Sequence, residues 1–289
     1  MKSSMSKGKI ITTAIFVLVI AGLLIIQRQY PTIIFSKNYI PNIVVTLSGI
    51  LVTVGLVDYL IERDKKEKQK KTVDIVHKKL VPHVARIAEL TFQMLKASFE
   101  PHQDRTLLPS TYETLFTERY VNQLSRFDMN KGNAPVYPFR SWPIYISTDI
   151  KNSLDSIEQV MGAYVAYLEP NTIDLIYNLQ NCIFAIILKN IGIITSVWER
   201  EGTPITHYPL FGTKQATDFC NKLLRVIEAL NDVNHETKII FDPALYSDNI
   251  SPKMGQSRMS DAEFKEFEKQ LATPLPENKS SQTMVVEGT

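Results

Sequence analysis

Arg200 and His207 are the two residues whose chemistry would be most consequential together, with six residues between them. An arginine can hold a phosphate by paired hydrogen bonds. An imidazole nearby can carry a proton to or from the reacting oxygen. Gly202 and Pro204 lie between them, and no Asn, Asp or His directly follows the arginine. Two stretches mix flat aromatics with a guanidinium in another way. One holds Tyr137, Phe139, Arg140, Trp142 and Tyr145; the other holds Arg200, His207, Tyr208 and Phe211. Bases stack on aromatic faces and arginine holds phosphates, so Arg140, Trp142, Tyr145, Arg200, His207 and Tyr208 are candidates for binding a nucleotide or a short single strand. Packing of the same rings to fasten long loops competes with that reading.

Other catalytic signatures are missing. The chain has no Gly-rich phosphate loop, no His-Glu-x-x-His and no Gly-x-Ser-x-Gly. Its five histidines, at 77, 83, 102, 207 and 235, form no pair at metal-ligand spacing on a convincing helix. His77 and His83 are expected to be solvated. We therefore expect no catalytic residue, no metal and no cofactor.

The elements that would carry these residues begin with two apolar segments, 10–26 and 42–61. A helix needs about 20 apolar residues to cross a hydrocarbon core of about 30 Å. Segment 10–26 has no charged residue, and its aliphatic and Phe side chains favour insertion by about 5 kcal/mol. A cleaved signal peptide is the competing reading. The run is longer than a usual signal core, and no small-x-small site follows Ile26. In the second segment, Gly49 and Thr53 share one helical face, and Ser48 and Gly55 lie on a neighbouring one. Small residues at such spacing let helices approach closely in lipid, within the chain or between copies. Asp58 lies about one turn inside the end of that segment, able to reach the interface or line a pore. Ser48, Gly49, Thr53, Gly55 and Asp58 are thus the candidate pore or oligomer face.

Basic residues set the orientation. Lys2, Lys7 and Lys9 precede the first segment, and Lys65, Lys66, Lys68, Lys70 and Lys71 follow the second, whereas the loop between has only Arg28 and Lys37. Both ends are expected in the cytoplasm of a bacterium, with the loop outside the inner membrane. The lysine run can also bind anionic headgroups, at about 1 kcal/mol per residue.

The rest reads as a helical cytosolic domain of about 180 to 200 residues. A net charge of +2 over 289 residues gives no global field for nucleic acid. Cys182 and Cys220 sit on apolar helical patterns and suit reduced core thiols. No glycine occurs between Gly55 and Gly132, so the second span is expected to run into a stalk helix over 62–81, kinked at Pro82. Further helices are expected at 110–127, capped by Ser110 and Glu113, at 149–168, at 171–198 as a buried central helix with a third membrane span as the competing reading, and at 213–233. The segment 131–148 is expected as an ordered aromatic loop. In the tail, 251–289, Ser260 and Glu263 repeat the capping spacing before a short amphipathic helix, and the end past 273 is polar. The expected class is all-α: residues 1–9, a transmembrane hairpin over 10–61, the stalk, a helical bundle over 82–250, and the tail.

This layout is similar to the two-span membrane effectors of bacterial antiphage defence systems. It resembles in particular the Hailong-type membrane effector, in which a nucleotidyltransferase product controls a membrane protein. The resemblance rests on the hairpin, on the stretch from Asp58 to Lys71 and on helical character to about Val233. It implies a homo-oligomeric pore or membrane-disrupting protein, held or released by a nucleic-acid-like signal, with a tetramer as the first expectation. A membrane-tethered interaction module is the alternative. Separately, the Arg200–His207 spacing is similar to the Arg-x(4–6)-His pattern of HEPN ribonucleases, which would imply a tethered nuclease.

Overall fold

The computed structural model describes residues 7–29, 39–101, 107–200, 211–233, 236–247, 249 and 252–272. The regular structure of these residues is helical, with one isolated antiparallel bridge between Phe127 and Arg258 and no strand among them. The helices are α1 (Lys7–Gln29), α2 (Ile40–Ser98), α3 (Tyr112–Leu115), α4 (Glu118–Val121), α5 (Trp142–Tyr164), α6 (Pro170–Gln180), α7 (Ile183–Arg200), α8 (Lys214–Val233) and α9 (Asp261–Ala272). The chain divides into two compact units, Met1–Thr72 and Val73–Thr289.

In the first unit, the beginning of α2 is the one described helix long and apolar enough to cross a membrane, and none of its apolar window is buried. In α1 the apolar stretch found among the described residues is the shorter Val17–Ile26. The expected pair of spans is thus shown as one membrane-length helix and not as a clear hairpin, and the loop over 30–38 lies outside the described residues. Threonines in this part of α2 turn inward on their own backbone: Thr46 donates to Asn42 O and Thr53 to Gly49 O, each at 2.8 Å. Such bonds satisfy a hydroxyl where no water is at hand.

In the second unit the organising element is the end of α2. Val76, Leu80, Val84 and Ile87 recur at helical spacing and are buried. From Leu90 to Phe99 every residue is buried, so the helix is enclosed on all sides. Its polar groups are satisfied locally: Thr91 donates to Ile87 O at 2.8 Å, Ser98 to Leu95 O at 2.8 Å, and the Lys96 ammonium to the Leu245 and Ser247 carbonyls at 3.2 Å. Pro82 is exposed and lies inside the element without ending it. The central helix is therefore α2. Helix α7, expected in that place, buries Phe184, Ala185, Leu188, Ile191 and Thr195 along one face only.

Among the other elements α5 packs on α7, α6 on α8, and α4 and α7 on α8, and the Arg86–Asp149 pair ties α5 to α2. Cys182 and Cys220 are buried free thiols. Several boundaries differ from the sequence expectation. The segment 110–127 is not one helix but α3, α4 and a 3₁₀ turn over Asn122–Arg126. Its cap is Thr111 paired with Thr114, one residue beyond the expected Ser110. Helix α5 starts at Trp142 rather than 149, because Pro143 falls in the first turn, where no N–H is required. The expected helix 171–198 is broken at Asn181–Cys182 into α6 and α7, bent by 43°. The turn before α8 needs Gly212, whose φ is +72° and whose missing Cβ would lie 2.6 Å from Ser125 N.

The tail helix docks on its own unit. Ser260 N donates to Glu263 Oε2 at 2.7 Å, and Glu263 N donates to Ser260 Oγ at 3.3 Å, completing the capping box. Arg126 pairs with Asp261 and lies 4.7 Å over the Phe264 ring.

Candidate functional site

The aromatic loop splits into two environments. Tyr137, Phe139 and Arg140 are exposed, with the two rings edge to face at 6.4 Å. Trp142 and Tyr145 are buried at the start of α5. Trp142 Nε1 donates to Ser257 Oγ at 3.0 Å, and its ring packs edge-on to Phe127 at 5.1 Å. The Tyr145 hydroxyl donates to Gln93 Oε1 at 2.7 Å and accepts from Arg86 at 2.9 Å. Neither face is open to a base, so these two candidates fasten α5 to α2 and to the tail. Arg200 is the exposed last residue of α7, while His207 and Tyr208 lie outside the described residues.

Arg86 is the hub of that fastening. Its Nε donates to Asp149 Oδ2 at 2.8 Å, and its Nη1 donates to Glu89 Oε2 at 2.9 Å. Burial works against its charge, but Tyr145, Glu89 and Asp149 overcome that and hold it protonated beyond its ordinary range. Burial pushes the Tyr145 phenol up to about 12. The group is a satisfied ionic clamp between α2 and α5.

A site that sequence reasoning missed lies between α2 and α5. Lys78, Lys79 and His83 on α2 face Ser156, Gln159 and Tyr164 on α5 round a groove of about 500 Å³. The Lys79 ammonium lies 4.8 Å over the Tyr164 ring and donates to its hydroxyl at 3.1 Å. Lys78 is 3.8 Å from Glu236. Ammonium and imidazole groups on one wall, facing amide and hydroxyl groups on the other, suit an anionic ligand with an aromatic or sugar face. The visible signal was the spacing of Lys79 and His83, four apart on one helix face; Tyr164 could not be matched to it without the fold.

A second groove, about 570 Å³, runs between α5 and the α6–α7 bend, with Met161, Tyr177 and Ile186 beside Glu158 and Lys189. It is more apolar, and Lys189 is engaged by Asp155 at 2.6 Å.

The proposed membrane face lies along α2. Ser48 and Asp58 are half-buried, and Gly49, Thr53 and Gly55 are exposed. A Cβ added at Gly49 or Gly55 would meet no atom within 4 Å. Lys65, Lys66, Lys68, Lys70 and Lys71 are exposed. Lys68 pairs with Asp64 at 2.7 Å and Lys71 with Glu67 at 3.1 Å, exposed i,i+4 pairs of small value.

His77, expected in solvent, is buried, and its Nδ1 has no hydrogen-bond partner. Burial lowers its pKa against the pull of Asp74 and Glu169. Among the described residues no group of His, Cys, Asp and Glu could hold a metal ion.

Among the described residues these features define an all-helical fold with one helix long and apolar enough to cross a membrane, or two if the bent pair α6–α7 counts as one span. Compared with protein-family models, curated proteins and solved structures, the chain matches none.

Proposed function

We propose that this chain is a homo-oligomeric membrane effector, a pore or membrane-disrupting protein of bacterial antiphage defence. In this reading its helical unit responds to an anionic nucleotide-like signal. The observation that carries the proposal is α2. One helix, Ile40–Ser98, begins as an unburied apolar span and ends as the enclosed centre of the second unit. A ligand that shifts the packing round 76–99 acts on the same element that meets lipid, which is what coupling between two sites requires. The open Gly49 and Gly55 face gives copies of that span room to approach. The Lys78–Lys79–His83 groove lies on α2 and is the place we assign to the signal. In this reading α1 is the second span, both ends are cytoplasmic, and the lysines at 65–71 rest on anionic headgroups.

The test is ion flux through vesicles holding the full chain, measured with and without a panel of mono-, cyclic and oligonucleotides. The reading expects at least one nucleotide to change flux about tenfold, and Lys79→Glu with His83→Glu to abolish that response. Vesicles that stay tight under every condition would contradict a pore and leave a tethered interaction module.

A further inference from the structure

Helix α7 was expected to be enclosed, yet it turns a second apolar face outward. Ile183 is 60% exposed, Ile186 48%, Ile193 66% and Val197 43%. With Asn190 they recur at steps of three, four, three and four, the a and d positions of two heptads. Ile187 and Ile194, half-buried, flank the stripe. The opposite face, from Phe184 to Thr195, is held in the core against α5 and α8. The seam is therefore presented on a folded support and does not depend on α7 being stable alone.

We propose that this seam is an interface with α7 of a second copy of the chain, the two helices running parallel in register. Three arguments select that occupant. First, the spacing is that of a helix-on-helix seam and not of a flat patch. Second, Asn190 sits at a central a position, where its amide donates to Ile186 O at 2.8 Å. Parallel pairing in register sets it against Asn190 of the second copy, where two amides can satisfy each other. A shifted register would set each against isoleucine, at the cost of a buried polar group without a partner. Third, the four exposed aliphatics present on the order of 400 Å² per copy. A pair would bury about 800 Å², the size of a weak association rather than a permanent one. Membrane tethering raises the effective concentration enough for an interface of that size to be occupied. The contact supplies a partner surface outside the span, and it rests on the membrane-tethered reading above for its occupancy.

The test uses the full chain in nanodiscs or mild detergent. Cys182 and Cys220 are buried, so single cysteines introduced on α7 report alone. Ile183→Cys, Asn190→Cys and Val197→Cys should each form a disulfide-linked dimer within minutes under mild oxidant. Glu228→Cys, on the exposed face of α8, should stay monomeric. Ile186→Asp with Ile193→Asp should lower the linked fraction of Asn190→Cys at least tenfold while leaving the helical circular dichroism unchanged, because both positions lie outside the core of their own copy. The proposal is overturned if the three cysteines link no faster than Glu228→Cys, or if Asn190→Cys alone links. Quenching of Trp198 by lipid-borne quenchers, without crosslinks, would assign the face to a bilayer instead. Because crosslinking needs no flux, a failed pore and a failed seam give different results.

Discussion

Trp142 and Tyr145 combine the two rings best suited to stack on a base with positions where no base can reach. Their types were legible in the sequence and their burial was not, because a loop of prolines and aromatics has no periodicity that tells core from surface. The structure predicts a stability phenotype for both. Trp142→Ala should cost about 3 to 5 kcal/mol, and Tyr145→Phe about 1 to 2 kcal/mol through the bonds to Arg86 and Gln93, read as lowered unfolding midpoints. Nucleotide binding by Tyr145→Phe should equal wild type. His77 gives a second prediction. Its folded pKa lies below the ordinary 6.5 because burial disfavours the imidazolium. Between the folded value and 6.5 the unfolded chain binds more protons, so stability rises with pH there. The neutral histidine's contribution is complete above about pH 6.5 and falls away below it. The slope of stability against pH over 5 to 7 should flatten in His77→Gln; an unchanged slope would assign it to other groups.

At the scale of elements, local chemistry was readable and enclosure was not. The Ser260–Glu263 box lay in plain sight because both halves of a cap are three residues apart and need nothing else. The same logic applied to Ser110 and Glu113 missed by one residue, since Thr111 and Thr114 offer an equivalent box. The central helix was misassigned for a clearer reason. The run from Leu90 to Phe99 contains Thr91, Gln93, Lys96 and Ser98, which read as surface. Each is buried with its polar group engaged by a carbonyl or by the Arg86 cluster, a condition invisible to hydropathy. Helix α7 errs the other way, its apolar length suggesting burial on all sides. The tail helix adds a prediction. The hydrogen bond from Lys131, with those within the Ser260 cap, draws the Glu263 pKa from 4.5 to about 2. A depressed folded value stabilises the docked helix above pH 4.5, and that contribution is lost as pH falls toward 2. Amide protection factors in 261–272, each referenced to the intrinsic exchange rate at that pH, should fall over that range in the wild type. In Glu263→Gln they should already be lower at neutral pH, with a reduced acid step.

For the whole molecule, the claim on which the rest stands is that the start of α2 resides in lipid. Its apolar window is unburied, and the helix it belongs to supplies the core of the second unit. A span in water would leave about 20 apolar residues solvated, against a preference of several kcal/mol for the bilayer. Orientation, oligomer and signal all presuppose that placement. The direct measurement is alkaline carbonate extraction of membranes from cells expressing the full chain. It is paired with a variant carrying Val52→Arg, Leu56→Arg and Leu60→Arg, all exposed positions of α2. The wild-type chain should remain in the membrane pellet and the arginine variant should shift to the supernatant. Recovery of the intact wild-type chain in the supernatant would contradict that placement.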